Sequence, residues 1–241
     1  PDDHPLPPDQ PSRPIRPELV PPGKLARRGI GSPEGRKALL HSLAHIEFNA
    51  IDLAFDMALR FAPQIREVGL SFETFVRDWF SVGADEARHF RMLVGRLSDL
   101  GAEYGDLPAH DGLWQSAEST KDNVLARLAI VPLVLEARGL DLTPGLADRF
   151  RRVGDGHTAS VLDIIWRDEL AHVAAGARWF NEICRVKALE PASEFKRLVR
   201  KHFHGDLKPP FDVQARDAAG VPRTFYDDWN GNCRPTAGPR V

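Results

Sequence analysis

The chain carries one charged pattern twice, as "DEARH" at residues 85–89 and as "DELAH" at residues 168–172. Each copy has Asp and Glu, then two residues, then His, inside a segment with helical periodicity. Glu and His three positions apart lie on the same helix face, and both side chains offer atoms that bind metal ions. The repeat therefore predicts two Glu-x-x-His ligand pairs on two helices. They are Glu86 with His89, and Glu169 with His172.

The predicted ligands interrupt apolar stripes that should face a core. A buried carboxylate is unfavourable unless it is paired or binds a metal. Two other helical segments each have one acid within such a stripe, Glu47 and Glu136. One Glu from each of two helices, with Glu-x-x-His from each of two others, is the ligand set of di-iron and di-manganese carboxylate bundles. The predicted ligands are Glu47, Glu86, His89, Glu136, Glu169 and His172.

The donor types of this set indicate which metals it binds. Four carboxylates largely neutralise two divalent cations, and two imidazoles complete the set while positions stay open for oxygen or water. Because the set contains no thiolate, it favours iron or manganese over zinc. We expect two iron ions as the cofactor, with manganese or a mixed iron–manganese pair as the alternative.

Charged residues beside the ligands have predicted supporting roles. Asp85 and Asp168 each precede a predicted His ligand by four positions and share its helix face. A metal-bound His usually donates its other ring N–H to a carboxylate or carbonyl. The two Asp are therefore predicted to hold the imidazoles, each either its own or the one across the bundle. Arg88 and Arg138, next to predicted ligands, are interpreted as ion-pair partners of core acids.

Three further histidines, His41, His45 and His157, lie off the ligand stripes, which predicts surface or supporting positions for them. Pro132 stands four residues before Glu136 within a helical pattern. Because proline lacks an N–H and clashes with the preceding turn, it should kink or loosen the helix there.

Helix-capping residues, glycines and prolines indicate where the helices that carry these ligands begin and end. Ser32 and Ser71 are expected N-caps, of helices that end near Phe61, before Pro63, and at Gly101. The remaining helices are predicted at about 120–139, 143–154, 157–187 and 191–203. No run shows convincing period-two alternation, so almost no sheet is expected.

The predicted fold is all-α, an antiparallel four-helix bundle in which a long crossover, residues 101–119, joins two hairpins. The chain, 1–241, is interpreted as a single domain. Its predicted zones are an extended Pro-rich arm at 1–31, the metal-binding bundle at 32–187, an extra helix at 188–204 and an irregular tail at 205–241.

Composition narrows the classes of protein. The chain of 241 residues is 42% hydrophobic and 27% charged, as in soluble globular proteins. Its net charge of −2 gives no global attraction to nucleic acid or membrane, although a nucleic-acid contact stays possible. No apolar run reaches the length of a transmembrane helix. Two cysteines in unlike settings favour a reducing compartment, so we expect a cytoplasmic monomer or dimer.

The ligand pattern and its order resemble those of the ferritin-like superfamily over about residues 33–187. The stretches "HIEFNAIDLAFD", "LEARGLDLTPG" and "LKPPF" resemble a bacterial ferritin-like family known mainly as a domain of unknown function. Its nearest characterised relatives are expected to be tRNA-modifying di-iron hydroxylases, which act on an isopentenyl adenosine. The superfamily includes oxygenases, desaturases, reductase subunits, catalases and iron stores, so the resemblance alone does not select a reaction.

Two functions remain open on the sequence. The first is an O2-activating oxidase or hydroxylase that uses an external electron donor and a small-molecule or modified-nucleoside substrate. The alternative is a ferroxidase, iron-storage or metal-handling protein. The long Pro-rich ends would obstruct a simple storage shell, which favours the enzyme.

Overall fold

Helices form nearly all the regular structure in residues 7–25, 29–227 and 229, which the computed structural model describes. Within these ranges there is no β-strand, only an isolated parallel bridge between Leu19 and Ala109. The prediction of an all-α chain is confirmed. The helices are α1 (Pro33–Glu67), α2 (Phe72–Asp99), α3 (Gly112–Glu118), α4 (Val124–Ile130), α5 (Ala137–Arg152), α6 (Gly156–Val186), α7 (Pro191–His202), α8 (Val213–Ala218) and α9 (Arg223–Tyr226), with a 3-10 turn at Pro22–Lys24 and a π-helical turn at Val131–Glu136.

Helix α1 begins as its sequence predicts, because the Ser32 side chain accepts a hydrogen bond from the Gly35 N–H. The helix was expected to end near Phe61, before Pro63, but it continues to Glu67. Phe61 and Ile65, on either side of the proline, are fully buried. Packing of these side chains therefore outweighs the hydrogen bond that the proline removes.

Helix α2 begins at its predicted cap, where the Ser71 side chain accepts from the Thr74 N–H. It ends at Asp99, and Gly101 follows with φ +70°, a conformation that glycine adopts without strain. Helix α1 packs along α2 over much of its length. The first hairpin thus places Glu47 beside the first Glu-x-x-His pair.

The second hairpin differs from its prediction. A helix was expected to stop at Gly139 and another to start at Thr143–Pro144, but α5 runs unbroken from Ala137 to Arg152. Leu140 and Ala147 are fully buried on one side of this helix, so core packing again overrides a proline. Helix α5 packs along α6, and α6 also contacts α2, α4 and the π-helical turn.

The chain ends pack onto this helical frame. Helix α7 corresponds to the predicted extra helix, and the tail expected to be irregular contains the two short helices α8 and α9. Phe225 of α9 stacks on Phe195 of α7, with ring centroids 4.6 Å apart. Both rings are buried, so they extend the apolar core beyond the two hairpins. Cys233 and the other residues after Trp229 lie outside the described residues.

The described part of the N-terminal arm is extended and lies against α1 and the 101–119 connection. Arg13 donates to Asp52 and Asn49 on α1, each at 2.6 Å. The Trp114 indole donates to the Asp9 carbonyl at 3.0 Å. These bonds satisfy backbone and charged groups that a Pro-rich segment cannot pair by itself. In the described part of the chain, no helix is both long and apolar enough to span a bilayer.

Candidate metal centre

The first hairpin and α6 bring four of the predicted ligands into one buried group. Glu47 extends from α1, Glu86 and His89 from α2, and Glu169 from α6. Each offers one ligand-type atom, and these atoms all lie within 4.8 Å of one another. All four residues are buried, so the group is a cluster of oxygen and nitrogen donors that could hold a metal ion.

His172 joins this group from α6. Its Nδ1 lies 3.0 Å from Oε1 of Glu86 and 3.6 Å from Oε1 of Glu169. On the other side of Glu86, Nδ1 of His89 lies 3.3 Å from Oε2. The two imidazole rings have centroids 5.8 Å apart. Glu86 therefore stands between the two histidines and directs one oxygen toward each.

Several atoms at the centre lack the hydrogen bonds that buried polar groups usually make. They are Oε1 of Glu86, Oε2 of Glu136, Oε2 of Glu169 and Nδ1 of His172. Oε1 of Glu86 and Nδ1 of His172 are 3.0 Å apart without the alignment of a hydrogen bond, so a protonated His172 ring attracts Glu86 as an ion pair. Buried ligand atoms of this kind, from α2, the π-helical turn and α6, fit a metal ion as their common partner.

Glu136 ends the π-helical turn, and it is not among the four residues whose ligand-type atoms lie within 4.8 Å of one another. The wide turn begins beside Pro132, whose missing N–H cannot continue the regular α-helical ladder. Pro132 packs on Gly176 of α6, where an added Cβ would lie 2.4 Å from the proline Cβ. Pro132 was expected to loosen the helix, and the structure has a π-helical turn there, which ends at Glu136.

The charges of the cluster are strongly coupled. Burial and the charge of Glu86 raise the pKa of Glu47 well above its ordinary value, and burial with the charge of Glu169 does so for Glu136. Burial and Glu86 also raise the pKa of Glu169. Such carboxylates are costly to ionise in a buried group unless cations are present.

The imidazoles supply positive charge in the metal-free protein. Burial opposes their charged forms, but the neighbouring carboxylates raise the pKa of His89 to about 10 and that of His172 to about 12. Burial also opposes ionisation of Glu86, yet His172 and His89 hold its pKa below the ordinary value. Metal ions would replace the protons on these carboxylates and imidazoles, because metal ligands must be deprotonated.

Asp85 and Asp168 hold the imidazoles across the helix pair. Nε2 of His89 donates to Oδ2 of Asp168 at 3.0 Å, and Nε2 of His172 donates to Oδ2 of Asp85 at 3.3 Å. Of the two arrangements that the sequence allowed, the structure has each Asp bound to the His of the other helix. Arg88, predicted to pair with core acids, instead pairs with these two partly exposed Asp side chains.

Other charged and histidine residues near the ligands follow their predictions in part. Arg138 pairs with Asp141, whose side chain is fully buried, so its prediction as the partner of a core acid is confirmed, and it also donates to the carbonyls of Lys208 and Pro210. His41 and His45 are buried and not on the surface, with His45 Nδ1 2.8 Å from the Tyr104 hydroxyl. His157 is exposed, as expected.

A second buried charged group was missed from the sequence. Asp56 accepts from Arg60 on the same helix at 2.9 Å and from Arg127 of α4 at 2.5 Å. The spacing of Asp56 and Arg60 is a signal for an ion pair, but Arg127 lies 71 residues from Asp56. Each guanidinium nitrogen of Arg127 donates to an acceptor, namely Thr120, Asp56 or the Ala117 carbonyl, which indicates an ion pair that joins α1 and α4 and not a ligand site.

Comparisons with known proteins add a family without a described activity. The sequence profile of the family described as "Protein of unknown function (DUF455)" matches residues 2–227. An "Uncharacterized protein" of Haemophilus influenzae is 40% identical over 214 residues, which are 89% of this chain and 74% of that protein. No solved structure matches the chain. The family match extends over both hairpins, and neither description names an activity.

Proposed function

Because the chain belongs to the DUF455 family, whose description names no activity, we propose a function from its site. It is a dinuclear, carboxylate-bridged metal protein that uses two iron ions to activate O2 and to oxidise or hydroxylate an organic substrate. The proposed ligands are the six predicted from the sequence: Glu47, Glu86, His89, Glu136, Glu169 and His172. The proposed fold is the ferritin-like bundle of α1, α2, the α4–α5 helix and α6.

The observation that carries this proposal is the set of sealed atoms without hydrogen-bond partners. Three carboxylate oxygens and one imidazole nitrogen, from α2, the π-helical turn and α6, are buried without a hydrogen-bond partner. Leaving such groups without hydrogen bonds costs free energy, and metal ions held among these elements would explain all of them. Two divalent cations would match them and would balance the four carboxylates.

The chain's own residues prepare the imidazoles for this role. Because Nε2 of each His donates to an Asp, the neutral ring carries its proton on Nε2 and directs the Nδ1 lone pair toward the glutamates. Glu86 has one oxygen toward each histidine, and we propose that Glu86 and Glu169, or one of them with solvent, would hold the two ions together. Glu47 and Glu136 would each serve mainly one ion.

When bound, the metal ions supply the redox chemistry, namely the electrons that reduce O2. The chain supplies a site from which water is excluded, since Glu86, His89 and His172 are each at most 1% exposed. A dry site protects a reactive oxidant from side reactions. Oxygen and nitrogen donors suit iron, and manganese or a mixed pair is the alternative. A small molecule or modified nucleoside is the proposed substrate class, with an external electron donor.

Metal stoichiometry tests the ligand set. The protein is loaded with Fe²⁺ under anaerobic conditions, and bound metal per folded chain is measured. We expect two ions in the wild type and a selective loss of one site in Glu47→Ala and in Glu136→Ala. Glu67→Ala, which changes an exposed glutamate of α1, is the control and should keep both. Full binding of two ions in both ligand variants would contradict the assignment.

Reaction with O2 then tests the activity. The loaded wild type should consume O2 and change its optical and Mössbauer spectra, whereas Glu86→Gln should not. Size measurement by light scattering separates the enzyme from the ferroxidase alternative. A monomer or dimer is expected, and a large shell-like assembly that accumulates ferric mineral would favour iron storage.

A further inference from the structure

Arg88 connects the two cross-helix bonds that hold the histidines. One of its guanidinium nitrogens donates to Oδ1 of Asp85 at 2.6 Å and to Oδ2 of Asp168 at 3.1 Å. Oδ2 of Asp168 also accepts from Nε2 of His89. The other carboxylate, on Asp85, accepts from His172. A continuous series of bonds therefore runs from one imidazole to the other through a single arginine.

This series lies at the surface, where it needs a reason to persist. The Asp85, Asp168 and Arg88 side chains are 34%, 26% and 46% exposed. An isolated ion pair with this exposure contributes little to stability. Two neighbouring carboxylates would repel each other and turn toward water without the cation between them. The buried histidines that they hold would then lose their orientation.

We propose that Arg88 is a positioning residue that couples the orientations of His89 and His172, so that both metal sites are formed together. It touches neither histidine and acts through the two Asp side chains. Its effect on metal binding rests on the proposed function, whereas its effect on the two Nε2–H groups does not. The bound metal ions would then depend on a charge that lies outside their own ligand set.

A matched control exists in the same groove between α2 and α6. Arg178 of α6 is 49% exposed and pairs with Asp78 of α2, so it also joins the two helices. Asp78 accepts from Arg178 and Trp179, and within the described part of the chain it makes no hydrogen bond to a histidine. Loss of Arg178 therefore removes an equivalent ion pair between the helices and leaves the bonds that hold the imidazoles.

Metal titration is the first part of the test. Co²⁺ is added under anaerobic conditions to the wild type, Arg88→Met, Arg88→Lys and Arg178→Met, and its absorption reports binding. Because loss of an outer hydrogen-bond partner typically weakens metal binding about 10–100-fold, Arg88→Met should weaken both sites by about tenfold. Arg88→Lys keeps the charge and should restore most of the affinity, and Arg178→Met should match the wild type.

Proton exchange in the metal-free protein is the second part. With ¹⁵N-labelled histidine, NMR measures the solvent exchange of the Nε2–H of His89 and of His172. Arg88→Met should accelerate both, because the carboxylates that accept these protons lose the cation between them, and Arg178→Met should accelerate neither. A change at only one histidine, or equal changes in both arginine variants, would overturn the coupling. If Co²⁺ does not bind the wild type, the proposed function fails, and the exchange rates still decide the role of Arg88.

Discussion

The two hairpins carry the same ligand pattern but present their lone glutamates differently. Glu47 lies within the regular helix α1, and one of its oxygens is 3.5 Å from Nδ1 of His89. Glu136 ends a π-helical turn, and its Oε2 is buried without a hydrogen-bond partner. The pentapeptide repeat thus imposes a symmetry on the histidines that the lone glutamates do not share. π-Helical turns are frequent at functional positions, and this one ends at the predicted ligand of the second hairpin.

The largest effect is expected where the halves meet, at Glu86. Glu86→Gln keeps the size of the side chain but removes the charge that faces both histidines. We expect loss of both metal ions, at least about 100-fold in affinity, the upper end for disturbed metal sites. Isothermal titration with Mn²⁺ measures it. Glu73→Gln, an exposed change on the same helix, should bind normally. Loss of only one ion would show that Glu86 belongs to one half.

The crossed bonds give the next effect. Asp168→Asn should disturb His89 of the first hairpin, and Asp85→Asn should disturb His172 of the second. Each should weaken metal binding by about 10–100-fold. Anaerobic Fe²⁺ titration with histidine NMR assigns the affected ring. Asp78→Asn, in the same groove, is the control. If each variant disturbed the histidine of its own helix, the crossed arrangement would be wrong.

The π-helical turn provides a third test, which concerns only the second half. Gly176→Ala would place a Cβ 2.4 Å from Cβ of Pro132. Overpacking of this kind typically destabilises by about 1–3 kcal/mol, and displacement of the turn should weaken the site that depends on Glu136. The matched change is Gly145→Ala, exposed in α5 with no atom near the new methyl group, which should stabilise by about 0.5–1 kcal/mol.

Urea unfolding compares the two glycine variants, and metal stoichiometry follows the site. A stable Gly176→Ala protein with two normal metal sites would show that Glu136 does not depend on this close contact.

The smallest effect is expected at His41 of α1, and His157 of α6 serves as its control. His41 on α1 is buried, and its Nε2 accepts from the Gly105 N–H at 3.0 Å. Burial lowers its pKa below the ordinary value, although Asp106 opposes this. The unfolded chain therefore binds the His41 proton more readily than the fold does. This contribution to stability is complete above about pH 6.5, the unfolded value, and is lost as the pH falls below it.

Thermal unfolding of the metal-free protein measures this pH dependence of stability. The pH is varied from about 7.5 to about 5, on both sides of the ordinary histidine pKa. His41→Gln should be destabilised at the higher pH by about 0.5–1.5 kcal/mol, the contribution of one hydrogen bond, and should lose less stability on acidification. His157→Gln on α6 changes an exposed side chain and should follow the wild-type curve. Parallel pH curves for both variants would contradict the interpretation.

The grouping of Glu47, Glu86, His89 and Glu169 follows in part from helical spacing, which is a local property. Glu86 and His89 lie three residues apart, so any helix through them places both on one face. The N-caps at Ser32 and Ser71 were equally local and are confirmed. The helix end predicted before Pro63 was wrong, since the buried neighbours of this proline hold the helix together through contacts with distant residues.

By itself, the sequence determined an all-helical chain and the residues that face inward, because periodicity and capping depend on neighbours within a turn. Only the tertiary structure decided which Asp binds which His, since Asp168 and His89 are 79 residues apart. It also decided the width of the turn that carries Glu136. At that turn Gly176 lets α6 approach Pro132 closely, and such an approach is a property of two packed helices and of neither segment alone.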